Sequence, residues 1–390
     1  MKVKKRHGRW QRIATPFIVR AIKKRFNFDC EKFDIKPPFL VFANHATDYD
    51  AFFVARIFQN PIYFLMSDHV ATIPVAGRLI KLLVSPLPIT KSAMDIGAVR
   101  EIMSAVWQGA SVGIFPEGNK SFAGDVSWIK PSTAKLARKL EVPVVIVNIE
   151  GGFLSSPRFT KNKRKGKIRA FVKEVIAPEE LKALSNEEVQ ARIVEGLRVN
   201  AYEVQKREKQ KYVGENLAEG IETMLYACPE CKGISTLHGT GNDIVCTKCD
   251  ATCSLDEYGY VSGGKFERLD KWDKFQKQLI SELDPAGMPS DKVILHDKAW
   301  MVAKKCTKYK SAKLGVFDSI LFSDRFVLTN ENDTIEIPLS EIVGMAVEGI
   351  NGIQISSKNG DVFRLKNETT ASALKYVNFI WTIKGEIIRF

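Results

Sequence analysis

The chain has 390 residues, of which 45% are hydrophobic and 26% are charged. This composition is typical of a globular protein with two or three domains of about 100–200 residues each, and it excludes a disordered chain. The net charge is +13, and two stretches without any acidic residue, 1–28 and Arg158–Lys173, hold ten and eight Lys or Arg. Such clusters predict contact with a polyanion: a membrane surface, a nucleic acid or a phosphorylated substrate.

A membrane-spanning helix is not predicted, because no run of eighteen apolar residues is present. The best candidate, Ile73–Ile89, is interrupted by Arg78, Lys81 and internal prolines. The N-terminus also lacks the uninterrupted apolar core and the cleavage site of a signal peptide. Five of the seven cysteines lie within residues 228–253, unlike a disulfide framework. We therefore expect a cytoplasmic protein.

Residues 1–28 predict a basic amphipathic segment at a membrane interface. Thr15 precedes Pro16, which suits a helix N-cap followed by the first helical position. A helix from there to about Phe26 would place apolar residues on one side and basic residues on the other. We interpret it as an interfacial helix on an anionic membrane. The alternative is a surface helix docked on its own domain.

Residues 29–180 alternate short apolar runs with longer mixed segments. This pattern is typical of an α/β domain in which helices flank a mixed sheet. The predicted strands are Phe39–Ala43, Ser111–Phe115 and Val142–Ile149, and the predicted helices are Ala51–Phe58, Asp95–Trp107 and Ser132–Leu140.

The remaining chain divides into four segments. Residues 181–225 predict a helical connector, 226–260 contain the cysteine cluster, and 261–290 form a polar linker. Residues 291–390 predict a β-rich domain that ends in one helix from about Thr370 to Lys384. This arrangement resembles a PH- or GRAM-like domain, and another small β-barrel is the alternative. The predicted strands are Ile320–Thr329, Thr334–Pro338, Ile353–Ser357 and Val362–Leu365.

A histidine and a carboxylate follow the first predicted strand, in the segment Asn44-His45-Ala46-Thr47-Asp48-Tyr49-Asp50. Histidine is the side chain best suited to accept a proton from an alcohol near neutral pH, and a carboxylate on its other nitrogen fixes its tautomer. On one regular helix, His45 and Asp50 would point about 140° apart. The pair therefore meets only if His45 lies in the turn after the strand and Asp50 in the first helical turn.

A second polar group, Pro116-Glu117-Gly118-Asn119-Lys120, ends the strand predicted at Ser111–Phe115. A strand end that exposes backbone N–H groups beside a carboxylate and an ammonium suits a phosphorylated polyol. The segment therefore predicts a binding site for a ligand of that kind.

Together these segments resemble the glycerolipid acyltransferase family, the lysophospholipid acyltransferases of the 1-acylglycerol-3-phosphate type. The family signatures are Asn-His-x4-Asp and Phe-Pro-Glu-Gly-Thr-Arg-Ser, and their equivalents here are Asn44–Asp50 and Phe115–Ser121. The block Ser85–Lys91 lies where the family has a stretch that ends in arginine. The resemblance covers about residues 10–210, and it implies an O-acyltransferase bound peripherally to the inner face of a membrane.

The resemblance implies a role for each matched residue. His45 would be the general base on an acceptor hydroxyl, oriented by Asp50, and the hydroxyl would attack an acyl thioester directly. The residues that would position the glycerol and phosphate of the acceptor are Lys91, Glu117, Gly118 and Lys120. The donor would be acyl-coenzyme A or acyl-carrier protein, and the acceptor a lysophospholipid, most simply lysophosphatidic acid.

Two departures from the family pattern leave the acceptor open. Lys91 and Lys120 stand where the family has arginines. Lysine keeps the positive charge, but it lacks the planar fork with which arginine grips a phosphate through two hydrogen bonds. Another lysolipid or a glycolipid is therefore an alternative acceptor.

The cysteine cluster predicts a zinc ribbon. Cys228 and Cys231 form one Cys-x2-Cys pair, and Cys246 and Cys249 form a second pair fourteen residues later. Two such pairs supply four thiolates for a tetrahedral, structural Zn²⁺ ion. A redox pair or unliganded thiols are the alternatives, and Cys253 is a spare thiol.

A non-catalytic, nucleic-acid-binding protein is the competing function. The positive charge and the zinc ribbon would serve it, and the first domain would then be a relic. We expect no nucleic-acid partner, because no recognition helix and no interleaving of aromatic with basic residues accompanies the ribbon.

Overall fold

The architecture was obtained from a computed structural model of the chain. It describes residues 26–67, 87–89, 96–307, 310–367 and 371–386, together with positions 13, 16, 17, 20 and 22–24. The described residues form two compact units: the first reaches Val213 and excludes 158–162, and the second comprises 158–162 and the chain from Gly214 onwards. None of the described helices combines the length and apolarity needed to cross a bilayer.

The first unit is built on a seven-stranded mixed sheet, as the sequence predicts. Its strands are β1 (Asn27–Cys30), β2 (Leu40–Ala43), β3 (Ile62–Ser67), β4 (Leu87–Ile89), β5 (Ser111–Ile114), β6 (Val144–Glu150) and β7 (Lys167–Ile176). Their order across the sheet is β1-β7-β6-β2-β5-β3-β4. Strands β6 and β7 are antiparallel, whereas the other neighbours are parallel. The carboxyl ends of the adjacent strands β2 and β5 therefore meet at one edge.

Helices cover both faces of this sheet. They are α1 (Asp50–Ile57), α2 (Ile96–Trp107), α3 (Ser132–Leu140), α4 (Gly152–Ser155), α5 (Pro178–Ala183), α6 (Asn186–Leu197) and α7 (Ala201–Glu208). Alternate residues of β2 point to opposite sides: Leu40 and Phe42 pack into one core cluster, and Val41 and Ala43 pack into the other. Burial on both faces explains why the central strands are continuous apolar runs.

The first compact unit extends further along the chain than the sequence predicts. Leu181, Val189, Ile193 and Leu197 are fully or almost fully buried in the same core cluster as α2 and α3. The predicted connector 181–225 is therefore not a spacer in its first part, and the predicted boundary at residue 180 falls inside the unit. These helices carry charged residues on their outer faces and present only a narrow apolar stripe inward, so their sequence resembles that of a solvated connector.

The predicted N-terminal helix lies mostly outside the described residues. The described positions between 13 and 24 are helical. Ile22 and Phe26 are buried in the core of the first unit, whereas the side chain of Phe17 is 72% exposed. The end of this segment therefore docks on its own domain.

The second unit begins with a small four-stranded antiparallel sheet, which has the order β11-β10-β9-β8. Its strands are β8 (Leu237–Thr240), β9 (Asp243–Cys246), β10 (Thr252–Leu255) and β11 (Val261–Ser262). The segment 261–290, predicted as a linker, instead contains helix α8 (Leu269–Leu283). The α8 residues Leu269, Trp272 and Ile280 are buried, and the Trp272 Nε1–H group donates to the carbonyl oxygen of Ala227 at 2.8 Å.

The last part of the second unit is β-rich and closed by one helix, as predicted, and its described strands form a seven-stranded antiparallel sheet. The strands are β12 (Leu295–Thr307), β13 (Lys310–Leu321), β14 (Arg325–Thr329), β15 (Thr334–Pro338), β16 (Ile342–Glu348), β17 (Gly352–Ser357) and β18 (Val362–Asn367), and the helix is α9 (Ala373–Ile383). The strand order is β15-β14-β13-β12-β18-β17-β16. The predicted strand Ile320–Thr329 is in fact two strands joined by a turn. Its assignment as a PH- or GRAM-like domain stays a prediction.

Candidate active site and metal centre

The predicted histidine and carboxylate meet where β2 passes into α1. His45 lies in the turn that follows Ala43, and Asp50 is the first residue of the helix. The Nδ1 atom of His45 is 2.7 Å from Oδ2 of Asp50. Asp50 is fully buried, whereas the His45 side chain is 22% exposed. This is the arrangement that the five-residue spacing requires.

The Asp50 carboxylate accepts hydrogen bonds from the whole turn. Its Oδ2 atom accepts the backbone N–H groups of Ala46 at 2.6 Å and Thr47 at 2.9 Å, and its Oδ1 atom accepts the Thr47 hydroxyl at 2.6 Å. These donors fix the position of the carboxylate and leave it as an acceptor only. The His45 nitrogen that faces Asp50 therefore carries the proton, and Nε2 is left as the basic nitrogen.

Two further contacts fix the backbone and ring of His45. The side chain of Asn44 exchanges hydrogen bonds with the backbone of Ile149 at the end of β6, at 2.7 and 3.0 Å. The imidazole ring stacks on the ring of Phe115, with 4.5 Å between the centroids. Asn44 and Thr47 are site residues to which sequence reasoning gave no role in the site. Both residues could have been considered from the sequence, because both lie in the segment Asn44–Asp50.

Glu117 holds two backbone segments together. Its Oε1 atom accepts the backbone N–H of His45 at 2.7 Å, and its Oε2 atom accepts that of Ser127 at 2.8 Å. Burial raises the pKa of this carboxyl to about 8, against the opposing effect of the two N–H donors. Both oxygens are thus engaged by the protein, which favours a positioning role; direct contact of Glu117 with an acceptor stays a prediction.

Replacing Glu117 with Gln should change how stability depends on pH. The ordinary pKa of 4.5 applies after unfolding, so the native state binds more protons between about pH 5 and pH 8, and the free energy of unfolding falls as pH rises through that range. The variant lacks this titration. Its free energy of unfolding should change less between those pH values, which urea unfolding measures, with the exposed Glu215→Gln variant as control. Equal slopes in all three proteins would contradict the expectation.

Gly118 and Lys120 lie at the same edge of the sheet. Gly118 has a φ of 71°, and a Cβ atom at this position would meet no other atom within 4 Å, so open space lies beside it. Its N–H donates to Phe115 at 3.1 Å. The Nζ atom of Lys120 is 2.7 Å from Oδ1 of Asp48. The N–H of Ser121 donates to the carbonyl oxygen of His45 at 2.8 Å.

The structure brings together most of the predicted site residues. His45, Asp50, Glu117, Gly118 and Lys120 are joined through the contacts above. Lys91 lies outside the described residues. The catalytic and acceptor-binding roles of all six stay predictions.

The basic stretch Arg158–Lys173 is not a uniformly solvated patch. Arg158 and Arg164 are 4% and 3% exposed. The Arg158 guanidinium donates to the carbonyl oxygen of Val347 at 2.8 Å. The backbone N–H of Arg164 donates to the carbonyl oxygen of Ser155, also at 2.8 Å. The strand β7 occupies the second half of the stretch. These two arginines therefore contribute to the fold.

The four predicted thiols form one cluster in the second unit. The Sγ atoms of Cys228 and Cys249 are 3.8 Å apart, those of Cys231 and Cys246 are 3.7 Å apart, and all four lie within 4.8 Å of one another. Four thiolates about 2.3 Å from one tetrahedral ion lie roughly 3.8 Å from each other. The cluster therefore fits a metal ion. Cys253 is buried and donates towards Ile244 at 3.9 Å, apart from the cluster.

Part of the first unit is similar to known proteins. Residues 25–150 match the model of the acyltransferase family. Over 115 residues the chain is 29% identical to the 1-acyl-sn-glycerol-3-phosphate acyltransferase BAT2 of Brassica napus chloroplasts, covering 29% of this chain and 33% of that protein. Over 135 residues it is 27% identical to a probable 1-acyl-sn-glycerol-3-phosphate acyltransferase of Mycoplasma genitalium, covering 33% of this chain and 49% of that protein.

Solved structures include a similar protein, the 1-acyl-sn-glycerophosphate acyltransferase PlsC of Thermotoga maritima. The identity is 21%, the match covers 47% of this chain and 80% of that chain, and the TM-score is 0.38. The chain spans between a third and a half of the length of the two relatives compared by sequence. The match of residues 25–150 to the family model confirms the family resemblance predicted from the sequence.

Proposed function

We propose that this chain, whose residues 25–150 match the acyltransferase family model, transfers an acyl chain from a thioester to the hydroxyl of a lysophospholipid. Lysophosphatidic acid is the simplest acceptor and phosphatidic acid its product. The observation that carries the proposal is the 2.7 Å contact between His45 and the buried Asp50 at the edge where β2 and β5 end. The substrate named for both relatives, a 1-acylglycerol phosphate, supports the choice of acceptor.

In the proposed reaction, Nε2 of His45 takes the proton from the acceptor hydroxyl. The resulting oxygen nucleophile attacks the thioester carbonyl carbon, forming the new ester bond as the carbon–sulfur bond breaks. The thiolate leaves and receives the proton from His45, so that the histidine returns to its neutral form. Asp50 stabilises the imidazolium between these steps, since it is ionised and bonded to Nδ1. No acyl-enzyme forms, and acyl-coenzyme A or acyl-carrier protein serves as the donor.

The acceptor is oriented by groups around the open space beside Gly118. Lys120, and Lys91 from outside the described residues, supply positive charge to a phosphate. The stacking of Phe115 on the His45 ring keeps the imidazole in one orientation. Holding the hydroxyl and the base in reacting geometry lowers the barrier, because the entropy of alignment is lost on binding rather than in the reaction.

The ion in the cysteine cluster is proposed to be structural Zn²⁺. Four thiolates with no open ligand position are typical of structural zinc rather than of catalytic zinc. The chain is further proposed to bind the inner face of an anionic membrane peripherally. The exposed side chain of Phe17 supports that contact, and so does the positive charge of residues 1–28, which contain no acidic residue.

The proposal is tested by acyl transfer from labelled acyl-coenzyme A and acyl-carrier protein with the purified full chain. The acceptors are lysophosphatidic acid, glycerol 3-phosphate, a zwitterionic lysophospholipid and a glycolipid, presented on liposomes. Formation of phosphatidic acid is expected. If the chain acylates only another hydroxyl acceptor, that acceptor takes the place of lysophosphatidic acid in the proposal. If the folded, zinc-loaded protein acylates none of the acceptors, the proposed activity is refuted.

A further inference from the structure

The segment that follows β6 packs directly on the turn that carries His45. A Cβ atom placed on Gly152 would lie 2.7 Å from Cβ of Ala46 and 3.1 Å from Cγ2 of Thr47. Contacts this close admit only glycine, so the backbone of α4 touches the turn. Residues 152–156 are therefore a wall of the candidate active site.

Lys163 is attached to this wall. Its Nζ atom donates to the Ser156 hydroxyl at 2.7 Å, and the Ser156 N–H donates to the carbonyl oxygen of Gly152 at 2.9 Å. The neighbouring N–H of Arg164 donates to the carbonyl oxygen of Ser155, so the chain on both sides of the contact is fixed. The ammonium of Lys163 is thus held on the segment whose first residue, Gly152, contacts the turn.

The charges of two lysines act on Asp48. Its side chain is 61% exposed, and Lys120 contacts it at 2.7 Å. Burial acts to raise the pKa of Asp48, but the charge of Lys120 and then that of Lys163 outweigh it, and the pKa lies below its ordinary value. Both ammonium groups therefore act on the same exposed carboxylate, a few residues from the base.

We propose that Lys163 and Lys120 together bind the phosphate group of the acceptor, and that Asp48 holds this position as a counter-ion until the phosphate displaces it. This inference rests on the proposed function. A phosphomonoester carries about −1.5 to −2 charges near pH 7, against −1 for a carboxylate, and it has three oxygens for the two ammonium groups. The exchange therefore favours the acceptor's phosphate, and a neutral acceptor cannot make it.

This arrangement accounts for the lysine at position 120. A single lysine is a point charge that does not grip phosphate from two sides, as an arginine fork does. Two lysines that act on one oxyanion can donate two charge-assisted hydrogen bonds, as a single arginine fork does. Lys163 lies outside both signature segments, and its contact with Ser156 attaches it to the segment that packs on the turn.

The experiment compares KM and kcat for lysophosphatidic acid and for monoacylglycerol in the full chain. Lys163→Gln should raise KM for lysophosphatidic acid about tenfold, as for the loss of one charge-assisted hydrogen bond, with kcat changed less than twofold and no effect on monoacylglycerol. Asp48→Asn should lower KM for lysophosphatidic acid, since it removes the competing carboxylate. Lys139→Gln, which removes an exposed charge on α3, is the matched control.

A second measurement does not depend on turnover. Glycerol 3-phosphate binding, followed by calorimetry, should weaken in Lys163→Gln and strengthen in Asp48→Asn. An unchanged KM and an unchanged affinity in Lys163→Gln, with wild-type transfer intact, would overturn the inference alone. Absence of transfer in the wild type would instead refute the proposed function, and glycerol 3-phosphate binding would still test the phosphate site.

Discussion

Replacing His45 with Gln is expected to lower kcat for acyl transfer by about 10³-fold, within the range that general-base catalysis contributes. The amide of Gln can still donate towards Asp50, but it has no basic nitrogen for the acceptor hydroxyl. The His45 side chain is partly exposed and does not belong to the apolar core cluster on its side of the sheet, so the fold should persist. The measurement is kcat under saturating donor and acceptor, together with a circular dichroism spectrum.

Two comparisons make the result specific. His238→Gln removes an exposed histidine of the second unit and should leave kcat unchanged. Asp50→Asn keeps the size of the side chain, but its NH₂ group cannot accept all the donors that Asp50 now satisfies, so both kcat and stability should fall. A His45→Gln enzyme that retains more than about a tenth of wild-type kcat would show that His45 is not the general base.

The parts of the site that follow from local sequence were accessible before the structure. His45 and Asp50 belong to one strand-turn-helix segment, so their spacing alone required the turn in which they are found. The central strands and α3 were also predictable, because their apolar runs are short and bounded by turns or charges. The four thiols form two pairs that are local in sequence, and the hairpin of β8 and β9 between them brings the two pairs together.

The features that depend on distant residues were not accessible. Nothing near Glu117 shows that its two oxygens accept N–H groups from positions 45 and 127, because these groups meet only across the sheet edge. The sequence predicts a linker where helix α8 lies, because one side of this helix is charged. Its buried side contacts residues distant in sequence, such as Ala227, and that contact is not visible in the sequence. In the sequence Lys163 is one of eight basic residues in Arg158–Lys173, and its contact with Ser156 depends on the fold of residues 152–156.

The second unit should lose its ordered structure when the metal is removed or when Cys231 is changed to Ser. Structural zinc contributes an apparent ~10–16 kcal/mol in zinc-finger peptides, and a site with three thiolates retains only part of it. The cluster is joined to the rest of the unit by the residues just before Cys228. The N–H of Tyr226 donates to Oε1 of Gln276 in α8 at 3.0 Å, and the Tyr226 hydroxyl accepts from Asn378 in α9 at 2.8 Å.

Loss of the ion should therefore release α8 and α9, and not only the ribbon strands. Trp272 in α8 and Trp381 in α9 are almost fully buried, so their fluorescence should shift to longer wavelength as water reaches them. The measurement is tryptophan emission during titration with a chelator, with zinc content followed in parallel and Cys306→Ser, an exposed thiol outside the cluster, as control. If the emission stays unchanged after the metal has left, the cluster does not support these helices. If Cys231→Ser and the chelated wild type show the same shift and the control does not, the four thiolates act as a structural metal site, because a redox pair would not respond to chelation.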